Sequence, residues 1–168
     1  MILGEGERVR VRRLALADLE QAAPFQYTLF ITEPGTALPR LVEAFHQTGF
    51  WTQVAGAAAI ADKATNRLLG TLQFYRAGPG VHGFEIGYIL HHEADRGRGS
   101  ASEALRLFGD HLFTEHPGCH RLQLVIETWN AASARLAEAC GYAREGILRK
   151  AGYSSAEPED CFLYSRVR

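Results

Sequence analysis

The sequence predicts a mixed α/β (α+β) fold, with about seven strands in a mostly antiparallel central sheet flanked by about four helices. Three observations carry this. The first half of the chain offers strand patterns separated by short turns and two short helices. The second half runs strand, helix, strand, helix, strand. Between them, Gly83 to Phe113 changes from a two-residue to a helical period across a glycine-rich basic turn.

Arg8 to Arg12 alternates arginine with valine, as an outer strand with one buried face does. The following LALADLEQAAPF reads as a short helix, with Asp18 near its start and Pro24 at its end. Gln26 to Pro39 is irregular, broken by Pro34, Gly35 and Pro39. Arg40 to Thr48 makes a second short helix, with Leu41, Val42 and Phe45 inward and Gly49 stopping it. Phe50 to Asp62 and Leu68 to Arg76 read as strands joined at Lys63 to Arg67, and Ala77 to His82 turns into the next strand.

In that strand Phe84, Ile86, Tyr88 and Leu90 share one face, while Gly83, Glu85, Gly87 and Ile89 share the other. A polar loop, His91 to Asp95, leads into Arg96-Gly97-Arg98-Gly99-Ser100-Ala101. The helix beyond carries Ala101, Ala104, Leu105, Phe108 and Leu112 as an apolar stripe. After a break at His116, Pro117 and Gly118, Arg121 to Thr128 is a strand. Asn130 opens a helix with Leu136 and Cys140 inward, and Gly141 stops it. Tyr142 to Leu148 and Asp160 to Val167 close the chain as strands. Gly83 to Thr128 is expected to form a right-handed crossover joining two parallel neighbours.

The 168 residues fit one domain, 1–168, and a formal charge of −1 argues against broad electrostatic binding of nucleic acid. No run is long enough to span a bilayer and Met1 to Gly6 is not a signal peptide, so no membrane partner is expected and a cytoplasmic location is the default. Three cysteines, Cys119, Cys140 and Cys161, without a paired C-x-x-C suggest reduced packing thiols.

Strand, glycine-rich basic turn and helix start together form a site for an anion. Glycines let the backbone approach closely, and the helix N-terminus presents N–H groups and partial positive charge. The rival reading is a capping box, Ser100-x-x-Glu103, whose side chains consume those N–H groups.

Arg96-x-x-Gly99-x-Ala101 resembles the acyl-CoA pyrophosphate signature of the GNAT superfamily of N-acetyltransferases, Q/R-x-x-G-x-G/A. EIGYIL before it, SEALRLF after it, Asn130-x-x-Ser133, Gly141-Tyr142 and Glu145-Gly146-x-Leu148-Arg149 are similar to the ribosomal-protein N-terminal (RimJ/RimL-like) branch. The resemblance covers about two-thirds of the chain, from Leu69 onward. It implies a sheet splayed between the fourth and fifth strands, opening after Tyr88, often at a bulge. It also implies acetyl transfer from acetyl-CoA, as co-substrate, directly to an amine. The backbone of Ile89 and Leu90 would pair with the pantetheine amides. The turn of Arg96, Gly97, Arg98, Gly99, Ser100 and Ala101 would take the pyrophosphate, and Asn130 would reach the cofactor. Homodimers occur in this branch.

Glu85 is the candidate general base: it sits in an apolar strand, and Gly83 and Gly87 leave space beside it for an amine. Its alternative is a structural glutamate bonded to a neighbouring strand. His82 and His91 are reserve bases, and His92 is expected in solvent. Adjacent His91 and His92 point oppositely on a strand and lack a third ligand, so no metal site is read. Many GNAT enzymes place a thiolate-protonating tyrosine seven residues beyond the asparagine, where this chain has Ala137. Ser133 is then the available hydroxyl, its alternative being helix capping beside Asn130. Tyr142 is expected to pack against the sheet.

The segments Phe25 to Trp51, Ala77 to His82 and Lys150 to Glu159 are expected to select the acceptor. Phe25, Tyr27, Phe30, Phe50 and Trp51 form either an aromatic wall or core, and Glu157, Glu159 and Asp160 can attract an amine. The resemblance implies a protein N-terminal α-amine. Small amines such as polyamines or antibiotics are the alternative acceptor, and a non-catalytic acyl-CoA-binding module is the alternative outside enzymes.

Overall fold

The computed structural model describes residues 1–25, 38–152 and 157–168. The strands are β1 (Ile2–Glu5), β2 (Val9–Arg13), β3 (Ala55–Asp62), β4 (Leu68–Arg76), β5 (Phe84–Leu90), β6 (Arg121–Glu127), β7 (Ala143–Gly152) and β8 (Glu159–Val167). The helices are α1 (Leu19–Ala22), α2 (Leu38–Thr48), α3 (Ser100–Glu115) and α4 (Ala131–Ala139), with single 3-10 turns at Leu16–Asp18 and Glu93–Asp95. The eight strands form one sheet in the order β1-β2-β3-β4-β5-β6-β8-β7. All neighbours are antiparallel except β5 and β6.

Strand β1 adds to the expected set and moves β2 off the sheet edge. Four residues interrupted by Gly4 give no alternation to read. What holds the strand is remote: the Glu103 carboxylate accepts N–H bonds from Glu7, Arg8 and Val9 at 2.7, 2.9 and 2.8 Å, tying the β1–β2 turn to the first turn of α3. The expected strand at Phe50 begins only at Ala55, with Trp51 making an isolated bridge to Gly56. Helix α2 starts earlier than expected, at Leu38, because Pro39 falls in its first turn, where a missing N–H costs nothing. Most of the irregular stretch before it, 26–37, lies outside the described residues.

The sheet separates two apolar layers by strand parity. On one side Leu105, Phe108 and Leu112 of α3 pack on Val11, Leu72, Phe74, Ile86, Leu122 and Leu124. On the other, Leu14, Leu19, Leu41 and Phe50 cover Ala57, Ala59 and Leu68. Each fully buried large side chain contributes about 2 kcal/mol. The alanine run of β3 is buried between β2 and β4. At Gly56 a Cβ would sit 2.5 Å from the Phe74 ring and 2.7 Å from Trp51, so the aromatic pair requires glycine there.

Strands β5 and β6 are the parallel neighbours joined through α3. Their ladder contains only Phe84–Leu122 and Glu85–Gln123. The sheet therefore opens after Glu85, three residues earlier than the expected Tyr88. No bulge marks the place, because β5 stays in unbroken register with β4 from Phe84 to Leu90. The divergence arises from β6, whose whole length is paired with β8 instead.

Candidate active site

The opening between β5 and β6 is a cleft of about 180 Å³, lined by Gln73, Gly87, Tyr88, Glu127, Asn130 and Ser133 above the apolar Ile86, Leu124, Val125 and Ile126. Strand parity gives it two sides. Gln73, Gly87 and Glu127 belong to the sheet face of Glu85. Tyr88 belongs to the face of α3 and α4. The β6-facing edge of β5 from Ile86 to Leu90 is left without a strand partner, which is where an extended ligand with amide groups can pair at Ile89 and Leu90.

Beyond Leu90 the chain bends twice at glycine before entering α3. Gly97 and Gly99 have φ of 72° and 81°, in the left-handed region, and a Cβ built on either meets nothing within 4 Å. Gly99 is the N-cap of α3, with no side-chain hydrogen bond closing the helix start. The capping-box alternative is not what forms, since Glu103 spends its carboxylate on the N–H groups of the β1–β2 turn. The 16-residue helix thus presents its first-turn N–H groups and dipole to the turn. Arg67 anchors the loop by a bidentate pair with the buried Asp95, at 2.6 and 3.1 Å. Arg96 and Arg98 are exposed beside the turn, and Arg96 reaches the Leu90 carbonyl at 3.4 Å.

Asn130 caps α4 through its side-chain oxygen, which accepts the Ser133 N–H at 3.1 Å. The Ser133 hydroxyl remains available and lies 2.5 Å from the Tyr88 hydroxyl. Burial pushes the Tyr88 phenol up to about 12, against an opposing contribution from its bond to Ser133, so the pair stays protonated at neutral pH. Sequence reasoning gave Tyr88 a strand face shared with Phe84, Ile86 and Leu90 and the place where the sheet opens, but no partner for its hydroxyl. The signal for more was its hydroxyl, which needs a partner once the ring is buried. Ala137 is fully buried, so a tyrosine side chain there would have to displace core residues. Tyr142 packs in the core, and burial holds its phenol well above the ordinary range.

Glu85 stands beside the cleft rather than among its lining residues. Its two oxygens accept from Tyr75 Oη at 2.6 Å and Gln123 Nε2 at 2.9 Å. Gln123 in turn accepts from Arg121 Nε at 3.1 Å, and Arg121 grips Glu145 with both terminal nitrogens, at 2.8 and 2.6 Å. This is the cross-strand bonding that its structural reading describes. Glu127 and Gln73, which do line the cleft, escaped sequence reasoning because each ends up there only through register. His91 is buried and stacked on Phe25, ring centroids 4.0 Å apart, and burial holds it at about 4, so it stays neutral. His82 lines a separate cavity at the opposite end of β5, and His92 is exposed.

Of the aromatic residues, Phe50 is core and Trp51 packs edge-on to Phe74. Tyr27, Phe30, Tyr153, Ser154 and Ser155 lie outside the described residues. Glu159 accepts from Trp129 Nε1 at 2.6 Å and Asp160 from the Lys150 N–H at 2.9 Å. The three cysteines are free and buried. Among the described residues no helix is long and apolar enough to cross a membrane.

A family model described as an acetyltransferase (GNAT) domain matches residues 8–143. A Bacillus subtilis protein named as the uncharacterized N-acetyltransferase YoaA is 34% identical over 109 residues, covering 65% of this chain and 60% of that protein. The match thus spans less than two-thirds of this curated relative. RimL, a ribosomal-protein α-N-acetyltransferase solved in complex with coenzyme A, superposes with a TM-score of 0.77 at 20% identity, covering 99% of this chain and 98% of the other. The spermidine/spermine N-acetyltransferase SpeG from Vibrio cholerae superposes with a TM-score of 0.78 at 19% identity, covering 95% and 92%. At these identities the structural likeness is one of fold.

Proposed function

This chain belongs to the GNAT acetyltransferase family, and we propose that it is an acetyl-CoA-dependent N-acyltransferase that moves an acetyl group directly to a primary amine. The observation carrying this reading is the junction of the open β5 edge with an uncapped, doubly glycine-bent helix start. An extended thioester with a pyrophosphate at its far end suits both features at once. In this assignment Ile89 and Leu90 pair with the pantetheine arm, and Arg96 to Ala101 hold the pyrophosphate through backbone N–H groups and the two arginines. Asn130 fixes the start of α4 beside the arm.

Ser133 then faces the sulfur. As the carbon–sulfur bond breaks, its hydroxyl donates toward the sulfur, and Tyr88 donates to Ser133 in turn. A primary amine reaching the carbonyl carbon must arrive from the opposite sheet face, the side of Gln73 and Glu127.

For the acceptor we favour a protein N-terminal α-amine, in keeping with the RimJ/RimL-like motifs and the RimL-like fold. A small polyamine is the second reading, supported by the Glu127 carboxylate in the cleft lining and by the fold shared with SpeG. A thiol-release assay with acetyl-CoA and longer acyl-CoAs, against N-terminal peptides, polyamines and other amines, decides among them. Transfer to peptides alone supports the first reading. Coenzyme A binding with no transfer to any amine supports a binding module.

A further inference from the structure

Building on the acetyl-transfer reading, we infer that Glu127, rather than Glu85, receives the acceptor's ammonium group and takes its first proton. A base must offer a free lone pair where the amine arrives. Glu85 is poorly placed for this: each of its oxygens already accepts a hydrogen bond, from Tyr75 and Gln123, and it lies outside the cleft lining. Glu127 is the carboxylate among the described residues that line the cleft. It is the last residue of β6, partly buried, and no hydrogen bond or ion pair among the described residues engages its side chain.

The second observation is Gln73. Its side-chain oxygen is buried, has no hydrogen-bond partner, and belongs to the same cleft and the same sheet face. A Cβ on Gly87 would come within 2.9 Å of the Gln73 amide nitrogen, so that glycine is what lets the amide lie across β5. A carboxylate in the cleft lining, and beside it an amide whose oxygen is buried without a partner, suit a primary ammonium. The ionisable groups around Glu127 are Cys161, its cross-strand partner, Glu159 and Asp160 on β8, Glu85 on the same sheet face, and Tyr88, which lines the same cleft. Burial, then nearby Glu127, Glu159, Asp160 and Glu85, hold the Cys161 thiol up, so it stays neutral.

In the reaction the ammonium gives one proton to Glu127. The freed nitrogen lone pair bonds to the thioester carbonyl carbon, and the carbon–sulfur bond breaks with its electron pair on sulfur. The nitrogen loses its surplus proton to water, the sulfur takes the Ser133 proton, and water returns a proton to Ser133, leaving amide and thiol. Glu127 returns its proton to water.

The test uses wild-type protein with the best acceptor from the thiol-release panel, alongside Glu127→Gln, Glu127→Asp and Glu85→Gln. Glu127→Gln is expected to lower kcat/KM about 100-fold, raise the acceptor KM and remove the acid limb of the pH–rate profile. Coenzyme A affinity by calorimetry should stay within about twofold of wild type, which a general structural defect would not allow. Glu127→Asp restores part of the rate with the limb present. Glu85→Gln keeps the limb while lowering the melting temperature. A Glu127→Gln enzyme that keeps both limb and rate, or a Glu85→Gln enzyme that loses the limb, overturns the assignment. Wild-type protein that acetylates no amine removes the acetyl-transfer reading itself, and this inference with it.

Discussion

The Tyr88 and Ser133 hydroxyls meet at 2.5 Å, joining β5 to the first turn of α4 across the place where the sheet opens. With the phenol held up at about 12 by burial, both hydroxyls keep their protons at working pH, and either can donate to the other. Tyr88→Phe and Ser133→Ala are each expected to lower kcat about tenfold, near 1.4 kcal/mol, and the double variant no further. Steady-state kinetics on the three variants checks this. Normal turnover in Ser133→Ala would show that the sulfur needs no hydroxyl from the protein.

Gly99 sits at φ 81° with open space around it. A β-branched residue there is strained by about 1–2 kcal/mol and fills the volume an anion would occupy. Gly99→Val is expected to weaken coenzyme A binding by at least about tenfold, measured by calorimetry, with Gly99→Ala falling between. Unchanged binding would take the pyrophosphate away from this turn.

Glu103 should control stability rather than chemistry. Burial raises its pKa, but the N–H groups of Arg8, Glu7 and Val9 and the Arg8 charge outweigh that and leave it below the ordinary value. A depressed folded pKa means the stabilisation is present above the unfolded carboxylate range and disappears as pH falls through the folded value. Glu103→Ala is expected to lose about 1–3 kcal/mol at neutral pH. The gap from wild type should narrow as pH falls below the ordinary carboxylate range and through the lowered folded value, as urea unfolding across pH would show.

Ala137 occupies a fully buried place on α4. Ala137→Tyr, which installs the side chain many relatives use, is expected to overpack the core and cost about 1–3 kcal/mol without raising turnover. Thermal melts and the thiol-release assay report the two halves of that statement.

Local chemistry explains which features could be read in advance. The turn at Arg96–Ala101 announces itself because glycine at left-handed φ and a helix start are both properties of a few adjacent residues. The face alternation of Phe84, Ile86 and Leu90 likewise follows from the strand period, and these residues are buried as that period requires. Strand β1 was hidden for the opposite reason, since its support comes from Glu103, nearly a hundred residues away.

By itself the sequence determined the order of elements, the two-faced β5 strand and the glycine-bent start of α3, because period, turn chemistry and helix breaking act within a few residues. Which carboxylate faces the cleft was decided by tertiary structure alone. Register places Tyr75 opposite Glu85 on β4 and Gln123 opposite it on β6, so each of its oxygens is held by a neighbouring strand. The same β6 stays with β8 after leaving β5, carrying Glu127 to the open end. Side chains 42 positions apart in sequence exchange surroundings through strand pairing, and pairing is a long-range energy that no local pattern contains.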